Sequence, residues 1–453
     1  MERYKINPTI FREYDIRGIA DSDLTDDVVE LLGKAYGTYI KGGNIVVARD
    51  NRLSSLRIRN ALVKGLLATG CTITDLGLTI TPAYYFTVTK YKMDGGMMIT
   101  ASHNPAEYNG FKVNNGPLTI YGDEIQNLGK IALAGKFISG KGKITEKDTK
   151  DEYIHEVVSR IKLNKKFKVV VDCGNGTASL FAQKILENFG CTVIPLYCES
   201  DGHFPHHLPD PVKLEYAEDL IRTVKKEKAD IGLGIDGDGD RIGAVDEKGT
   251  MIWGDMMLIL FFRELLEKHP GAKCIIEVKC SQSLVDDVKA HDGIPILYKT
   301  GHSLIKAKMQ EEHALVTGEM SGHMFFKDEY YGYDDALYAA GRLLRILSQT
   351  DKKFSELFLD APKYYATPEL RPYCPDDKKF EIVKKIVADF KKHYDVIDID
   401  GARVVFNDGW GLVRCSNTQP ALIVRCEGKT PKALERIKKI IFSKLKEFPD
   451  ITL

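Results

Sequence analysis

The sequence lacks an excess of charge of either sign. Its 453 residues carry 64 acidic and 64 basic side chains, so no global field draws the chain to nucleic acid or to an anionic membrane. Long apolar runs are also missing. None approaches the roughly 18 residues of a membrane-spanning helix, and Met1–Asn7 has no apolar stretch of the kind a secretory signal needs. Low-complexity segments are absent, and the Lys-rich C-terminal helix reads as a solvated face. The nine cysteines are an odd number with no paired CxxC spacing, which argues against a disulfide scaffold or a thiolate metal cluster. They read as reduced thiols in or near strands. Cys173 and Cys415 sit inside loop motifs, but neither has a nearby His to activate it. What remains is a near-neutral globular chain with room for three or four domains, for which a cytoplasmic enzyme is the default expectation.

β-rich apolar runs alternate with helical periodicity along most of the chain. Strands are expected at 44–50, 71–77 and 97–99, with helices at 55–67 and 81–91 between them. A second round has strands at 167–172, 191–196 and 229–235, with helices from Thr177 through about Phe189 and at 217–227. A third runs through 273–278, 294–298 and 314–317. This alternation predicts mostly parallel sheets covered by helices on both faces. The last 85 residues or so differ, with strands expected at 397–406, 410–414 and 421–425 before a terminal helix, which is an α+β pattern. The domain boundaries read as 1–148, 149–252, 253–365 and 366–453.

Four loops carry chemistry. Thr100-Ala101-Ser102-His103-Asn104-Pro105 follows a short apolar run, so Ser102 is a hydroxyl delivered into a loop by a buried strand, although Ser, Asn and Pro also make ordinary turns. Asp236-Gly237-Asp238-Gly239-Asp240-Arg241 places carboxylates at every second position with glycines between them. Such a loop can converge on one hard cation such as Mg²⁺, and without a counter-cation its carboxylates repel one another. An EF-hand is the competing reading, since Glu247 falls at the twelfth position. Against it, Arg241 replaces the sixth-position Gly, and the flanks at 231–235 and 242–245 look like strands. Gly318-Glu319-Met320-Ser321-Gly322-His323 offers alternating donors and acceptors to a polyol, or is simply a turn. Arg414-Cys415-Ser416-Asn417-Thr418-Gln419-Pro420 groups a guanidinium, hydroxyls and an amide as a phosphate dianion requires, or makes a polar hairpin connection.

These motifs, with Phe11–Gly18 and Lys299–Ile305, occur in the order found in the α-D-phosphohexomutases, and the chain resembles the bacterial phosphomannomutase/phosphoglucomutase branch along its whole length. The resemblance implies three similar mixed α/β domains and a mobile C-terminal α+β domain around a central cleft. It further implies that Ser102 carries a phosphoryl group, donated to a hexose monophosphate to form a hexose 1,6-bisphosphate that reorients and returns its other phosphate. By the same resemblance Asp236, Asp238 and Asp240, together with Ser102, would hold Mg²⁺. Lys112, with Arg17 and His302, would serve proton transfer and charge stabilisation. As a base, Lys112 would need its pKa lowered, by Arg17 or Arg241. Glu319, Ser321 and His323 match the readers of sugar hydroxyls, and Arg414, Ser416, Asn417 and Thr418 match the grip on the non-reacting phosphate. Tyr14, Arg241 and Lys279 match further substrate positions. Met320 agrees with the mannose/glucose branch, where phosphoglucosamine mutases have Gln. A phosphoglucosamine mutase, a Mg²⁺-dependent sugar phosphatase and a non-catalytic sugar-phosphate binder are the alternatives. The expected partner is a small phosphosugar, with no nucleic acid or membrane, and the chain is expected to be a monomer.

Overall fold

Residues 6–417 and 419–453 are described by the structure, a computed structural model. The chain divides into two compact units, one of residues 1–260 with 321–357 and the other of residues 261–320 with 358–453.

In the first unit the N-terminal sheet has the order Ile16–Ile19, Tyr108–Asn115, Gly95–Ile99, Asn44–Arg49, Thr72–Leu78, Lys143–Glu146. Gly95–Ile99 is buried along its whole length, as its uninterrupted apolar run requires of a strand covered on both faces. Two helices cover one face. Asp26–Tyr39 begins with Asp26 and Asp27 at its positive N-terminal end, and packs on Ser55–Ala68. Glycines permit that approach: a Cβ on Gly65 would lie 2.2 Å from Glu30 O, and one on Gly33 2.5 Å from Leu62 O.

The sheet is not all parallel. Tyr108–Asn115 runs antiparallel to both of its neighbours, and this strand, which sequence reasoning did not identify, carries Lys112. The second sheet repeats the layout. Lys168–Asp172 is central, Thr192–Leu196 and Ile231–Ile235 flank it in parallel, and Ile242–Asp246 returns antiparallel. The helix expected from Thr177 instead begins as a short 3-10 turn, Thr177–Leu180, followed by Ala182–Asn188. The Thr177 N–H is committed to Gly237 O at 2.8 Å.

In the second unit Lys273–Glu277 is flanked in parallel by Ile294–Tyr298 and Val316–Gly318. In all three domains, then, the first of three parallel strands lies between the second and the third. Ser102, Asp236 and Glu319 all sit in the loop after the third strand, at the carboxyl end where α/β sheets place their sites.

The C-terminal sheet of the second unit is antiparallel, in the order Tyr365–Ala366, Leu422–Gly428, Gly409–Cys415, Ala402–Phe406, Asp395–Ile397. The single strand expected at 397–406 is two strands with a turn between them. Gly401, at φ +82°, lies so close to the neighbouring strand that a Cβ would be 2.3 Å from Val413 O, and only glycine combines that backbone with that approach. The helices Lys379–Phe390 and Pro431–Leu445 cover the sheet and close the core around Ile386, Val404, Val424 and Ile441.

Candidate active site

Ser102 enters its loop directly from the buried strand Gly95–Ile99 and is itself buried, with the left-handed φ of +50°. Its Oγ donates to Asp236 Oδ2 at 2.6 Å and lies 3.0 Å from His103 Nδ1. Burial, together with the cations Arg241 and Arg17, holds His103 well below the usual imidazole range, so the ring is neutral and has little capacity to accept a proton.

Asp236, Asp238 and Asp240 converge with ligand atoms within 4.8 Å of one another, all fully buried. The loop that holds them joins the antiparallel strands Ile231–Ile235 and Ile242–Asp246, with Ile235 opposite Ile242, so the helical flanks of an EF-hand are absent among the described residues. Asp236 Oδ1 accepts from the backbone N–H groups of Gly239, Asp240 and Arg241, each at 3.0 Å. Burial and the charges of Asp240 and Asp238 push its carboxyl well up. Burial also acts to raise Asp238, but the Lys112 ammonium outweighs it and holds this carboxyl low. Thr81 supports Asp238 with its Oγ1 at 2.6 Å from Oδ2.

Lys112 reaches in from the antiparallel strand. Its Nζ lies 2.8 Å from Asp238 Oδ2 and is also bonded to Asp240 Oδ2. Burial alone would lower its pKa, but the two carboxylates raise it well above the usual lysine value. That direction is opposite to the lowering by Arg17 or Arg241 that a base at this position would need. One ammonium against three carboxylates leaves net negative charge, and the Oδ1 atoms of Asp238 and Asp240 have no hydrogen-bond donor among the described residues. A buried, oxygen-only, under-neutralised donor set of this kind fits a hard divalent cation.

Arg17 lies on the strand Ile16–Ile19, with Nη1 on Asn104 Oδ1 at 2.9 Å and Nη2 on Asp15 at 2.5 Å, so it borders the Ser102 loop. Tyr14 is half-buried in the bend before that strand. His323 is buried; its Nδ1 is 2.8 Å from Asp334 Oδ2, and its Nε2 accepts from Arg241 Nε at 2.9 Å. His323, Asp334 and Asp240 form a second cluster of potential ligands, in which Nδ1 already lies beside Asp334 and Nε2 is taken by Arg241. Ser321 is half-buried in the same unit.

The remaining candidates belong to the second unit, whose boundary falls between Met320 and Ser321. Glu319 is buried and accepts from Gly301 N–H at 2.7 Å; burial and the nearby Glu277 push it up to about 7. Lys279 lies 3.7 Å from Glu277 and 3.2 Å from Glu369. Burial opposes its charge, and the two glutamates more than compensate, raising its pKa. His302 opens the helix His302–Glu311. Arg414 ends the strand Gly409–Cys415, its Nε on Asp400 Oδ2 at 2.8 Å. Ser416 is buried and Asn417 half-buried in the hairpin that follows, so this loop is topologically the hairpin connection of the bland reading; Thr418 lies outside the described residues.

Asp334, Thr81, Glu277, Glu369 and Asp400 were not identified from the sequence. Only Glu277 had a local signal, as a charged residue ending an apolar run. The others reach the site through tertiary packing.

Four domain families match the chain in succession: phosphoglucomutase/phosphomannomutase alpha/beta/alpha domain I over residues 8–138, domain II over 151–249, domain III over 253–365, and the C-terminal domain over 371–444. The chain belongs to the phosphoglucomutase/phosphomannomutase family. It is 42% identical over 442 residues to the phosphomannomutase/phosphoglucomutase of Pseudomonas aeruginosa, covering 97% of this chain and 96% of that protein. It is also 42% identical over 441 residues to the phosphoglucomutase of Neisseria gonorrhoeae, covering 96% of each. A phosphoglucomutase/phosphomannomutase family protein of Burkholderia thailandensis has the same fold in a solved crystal structure, with a TM-score of 0.92 and 40% identity over 98% of both chains.

Proposed function

We propose that this protein interconverts hexose 1-phosphates and hexose 6-phosphates, with mannose and glucose as the sugars, through a phosphorylated Ser102 and a hexose 1,6-bisphosphate. The observation that carries the reading is the Ser102 hydroxyl held 2.6 Å from Asp236 at the edge of an under-neutralised carboxylate triad, beside a histidine kept neutral. That setting suits a hydroxyl that carries phosphate better than one that needs a base.

Asp236, Asp238 and Asp240 would hold Mg²⁺, with an oxygen of the Ser102 phosphoryl group completing the set. The bound ion supplies charge neutralisation to the phosphoryl oxygens. Lys112 fixes the orientation of two of the aspartates and adds permanent positive charge. In the first half-reaction the Ser102 Oγ–P bond breaks as the free sugar hydroxyl gains the phosphoryl group, and the proton of that hydroxyl passes to the departing Ser102 Oγ; the return transfer moves it back to the sugar oxygen that is released. In the second, the other phosphate of the bisphosphate passes to Ser102 Oγ and restores the phosphoserine. Arg17, His302, Tyr14 and Lys279 line the route of the substrate. Glu319, Ser321 and His323 read its hydroxyls, with Arg241 orienting the imidazole. Arg414, Ser416, Asn417 and Thr418 grip the phosphate that is not reacting. We place the boundaries of the four domains near 148, 252 and 365. We further propose a cytoplasmic monomer.

Conversion of mannose 1-phosphate and glucose 1-phosphate to the 6-phosphates, in the presence of Mg²⁺ and a trace of hexose 1,6-bisphosphate, is the expected result. Turnover of glucosamine phosphate alone would move the protein to that branch of the family, and stoichiometric release of inorganic phosphate would make it a phosphatase. Biological activity that survives Ser102→Ala would make it a binding protein.

A further inference from the structure

Arg52 is almost fully buried, yet it lies in neither of the charged clusters described above. Its guanidinium gathers four backbone carbonyls from one short segment. Nη2 donates to Ser102 O at 2.8 Å and to Asn104 O at 2.6 Å, and Nη1 donates to Pro105 O at 2.6 Å and to Tyr108 O at 3.1 Å. Nε lies 3.2 Å from Asp50 Oδ2, and the Phe204 ring lies 5.1 Å from the guanidinium carbon. Asp50 is itself held, accepting on Oδ1 from Ser55 Oγ at 2.5 Å and from the Arg52 N–H at 3.1 Å.

We propose that Arg52 is a positioning residue for phosphoryl transfer: its buried fork holds the segment Ser102–Tyr108 in the backbone shape that aims Ser102 Oγ at Asp236. The inference rests on the reading of Ser102 as the phosphoryl carrier. The physical reason lies in Ser102 itself. A non-glycine residue at φ +50° reverts to an ordinary conformation unless its surroundings over-determine it. Here the unusual φ turns the Ser102 carbonyl toward the guanidinium and its Oγ toward Asp236. Gly237 closes the other side, where a Cβ would lie 2.5 Å from Ser102 O. Planar, multiply donating geometry is what arginine supplies and lysine does not. Once the fork is lost, the loop relaxes and Oγ leaves its aim, while the residues assigned to sugar and phosphate binding are untouched. A displacement of about 1 Å at a reacting atom costs on the order of 10²-fold in rate, and the loss falls on kcat.

The test compares wild type, Arg52→Lys, Arg52→Ala and Phe204→Ala by steady-state kinetics and by the rate at which Ser102 acquires the mass of a phosphoryl group from glucose 1,6-bisphosphate. Thermal unfolding and near-UV circular dichroism show which variants are folded. For Arg52→Lys, kcat and the loading rate are expected to fall together by about 10²-fold with KM within about threefold. Phe204→Ala, which frees one face of the guanidinium, is expected to lose about fivefold in both rates, and it decides the matter if the Arg52 variants do not fold. Millimolar guanidinium, but not methylammonium, should restore part of the Arg52→Ala rate. Folded variants with wild-type kcat and loading, or with a rise in KM alone, overturn the proposal. A wild type that loads Ser102 but turns over no hexose phosphate contradicts the proposed function and leaves the loading rates to decide the role of Arg52. A wild type that never loads Ser102 overturns both.

Discussion

The two units use buried carboxylates in opposite ways. In the first, Asp236, Asp238 and Asp240 converge within 4.8 Å, the Lys112 ammonium bonds two of them, and the Oδ1 atoms of Asp238 and Asp240 have no donor among the described residues. In the second, Glu277, Glu319 and Glu369 are also gathered around a lysine, but each is tied separately. Met320 N–H reaches Glu277 at 2.8 Å, Gly301 N–H reaches Glu319 at 2.7 Å, and Arg371 and Lys279 reach Glu369. Convergence of unsatisfied charge calls for a cation. In the second unit burial and the Glu277 charge leave one carboxyl, Glu319, titrating at about 7, where it can exchange hydrogen bonds with uncharged hydroxyls. The first arrangement suits moving a phosphoryl group, and the second suits holding a sugar.

The sharpest way to break the comparison is Ser102→Ala. Mutase turnover should drop by more than about 10³-fold, and the phosphoryl adduct should vanish from the intact mass, while the variant keeps its affinity for hexose phosphate in a titration. Next is Lys112→Met. Removing one partner from a buried charge cluster costs about 3–5 kcal/mol, so the variant should unfold at markedly lower urea in the absence of Mg²⁺. Added Mg²⁺ should raise its midpoint more than it raises that of wild type; an equal Mg²⁺ response in both proteins would argue against the triad as the cation site.

Arg414→Gln tests the second unit. Its effect should fall on KM, which rises about 10–100-fold, with kcat changed far less; a loss confined to kcat would contradict a gripping role. The smallest effect concerns Glu319. Its folded-state value near 7 lies above the ordinary 4.5, so the folded protein retains a proton that the unfolded chain releases. Stability therefore falls as pH rises through the window from about 4.5 to 7 and levels off above it. Glu319→Gln should flatten that slope, as read from urea midpoints at several pH values across the window. An unchanged slope would mean that Glu319 is already ionised in the folded state.

Legibility followed distance along the chain. The Asp236–Asp240 loop was readable because its three carboxylates, the intervening glycines and the flanking strands all lie within residues 231–246. The Ser102 loop was readable as a strand end, and the repeated strand–helix rhythm foretold the shared layout of the α/β domains. The break at Gly401 was missed because residues 397–406 are β-prone throughout. What forces the turn is contact with Val413 on the next strand, a neighbour that local propensity cannot see. Asp400, turned by that break toward Arg414, was missed for the same reason.

Lys112 shows the division most clearly. It follows the Ser102 loop in the sequence and was a candidate for proton transfer, but the direction of its shift was not legible there, because the sign of a buried lysine's shift depends on which charges surround it in space. Asp238 and Asp240, more than 120 residues downstream, overcome burial and keep it an ammonium. By itself the sequence determined the alternation of the parallel strands with helices, the loops that end those strands, and the residue types in those loops, since all of these arise from short-range periodicity and composition. Only the tertiary structure decided which carboxylates converge, which are separately satisfied, and which arginine holds the Ser102 loop, because Coulomb and hydrogen-bond energies depend on distances that the fold alone sets.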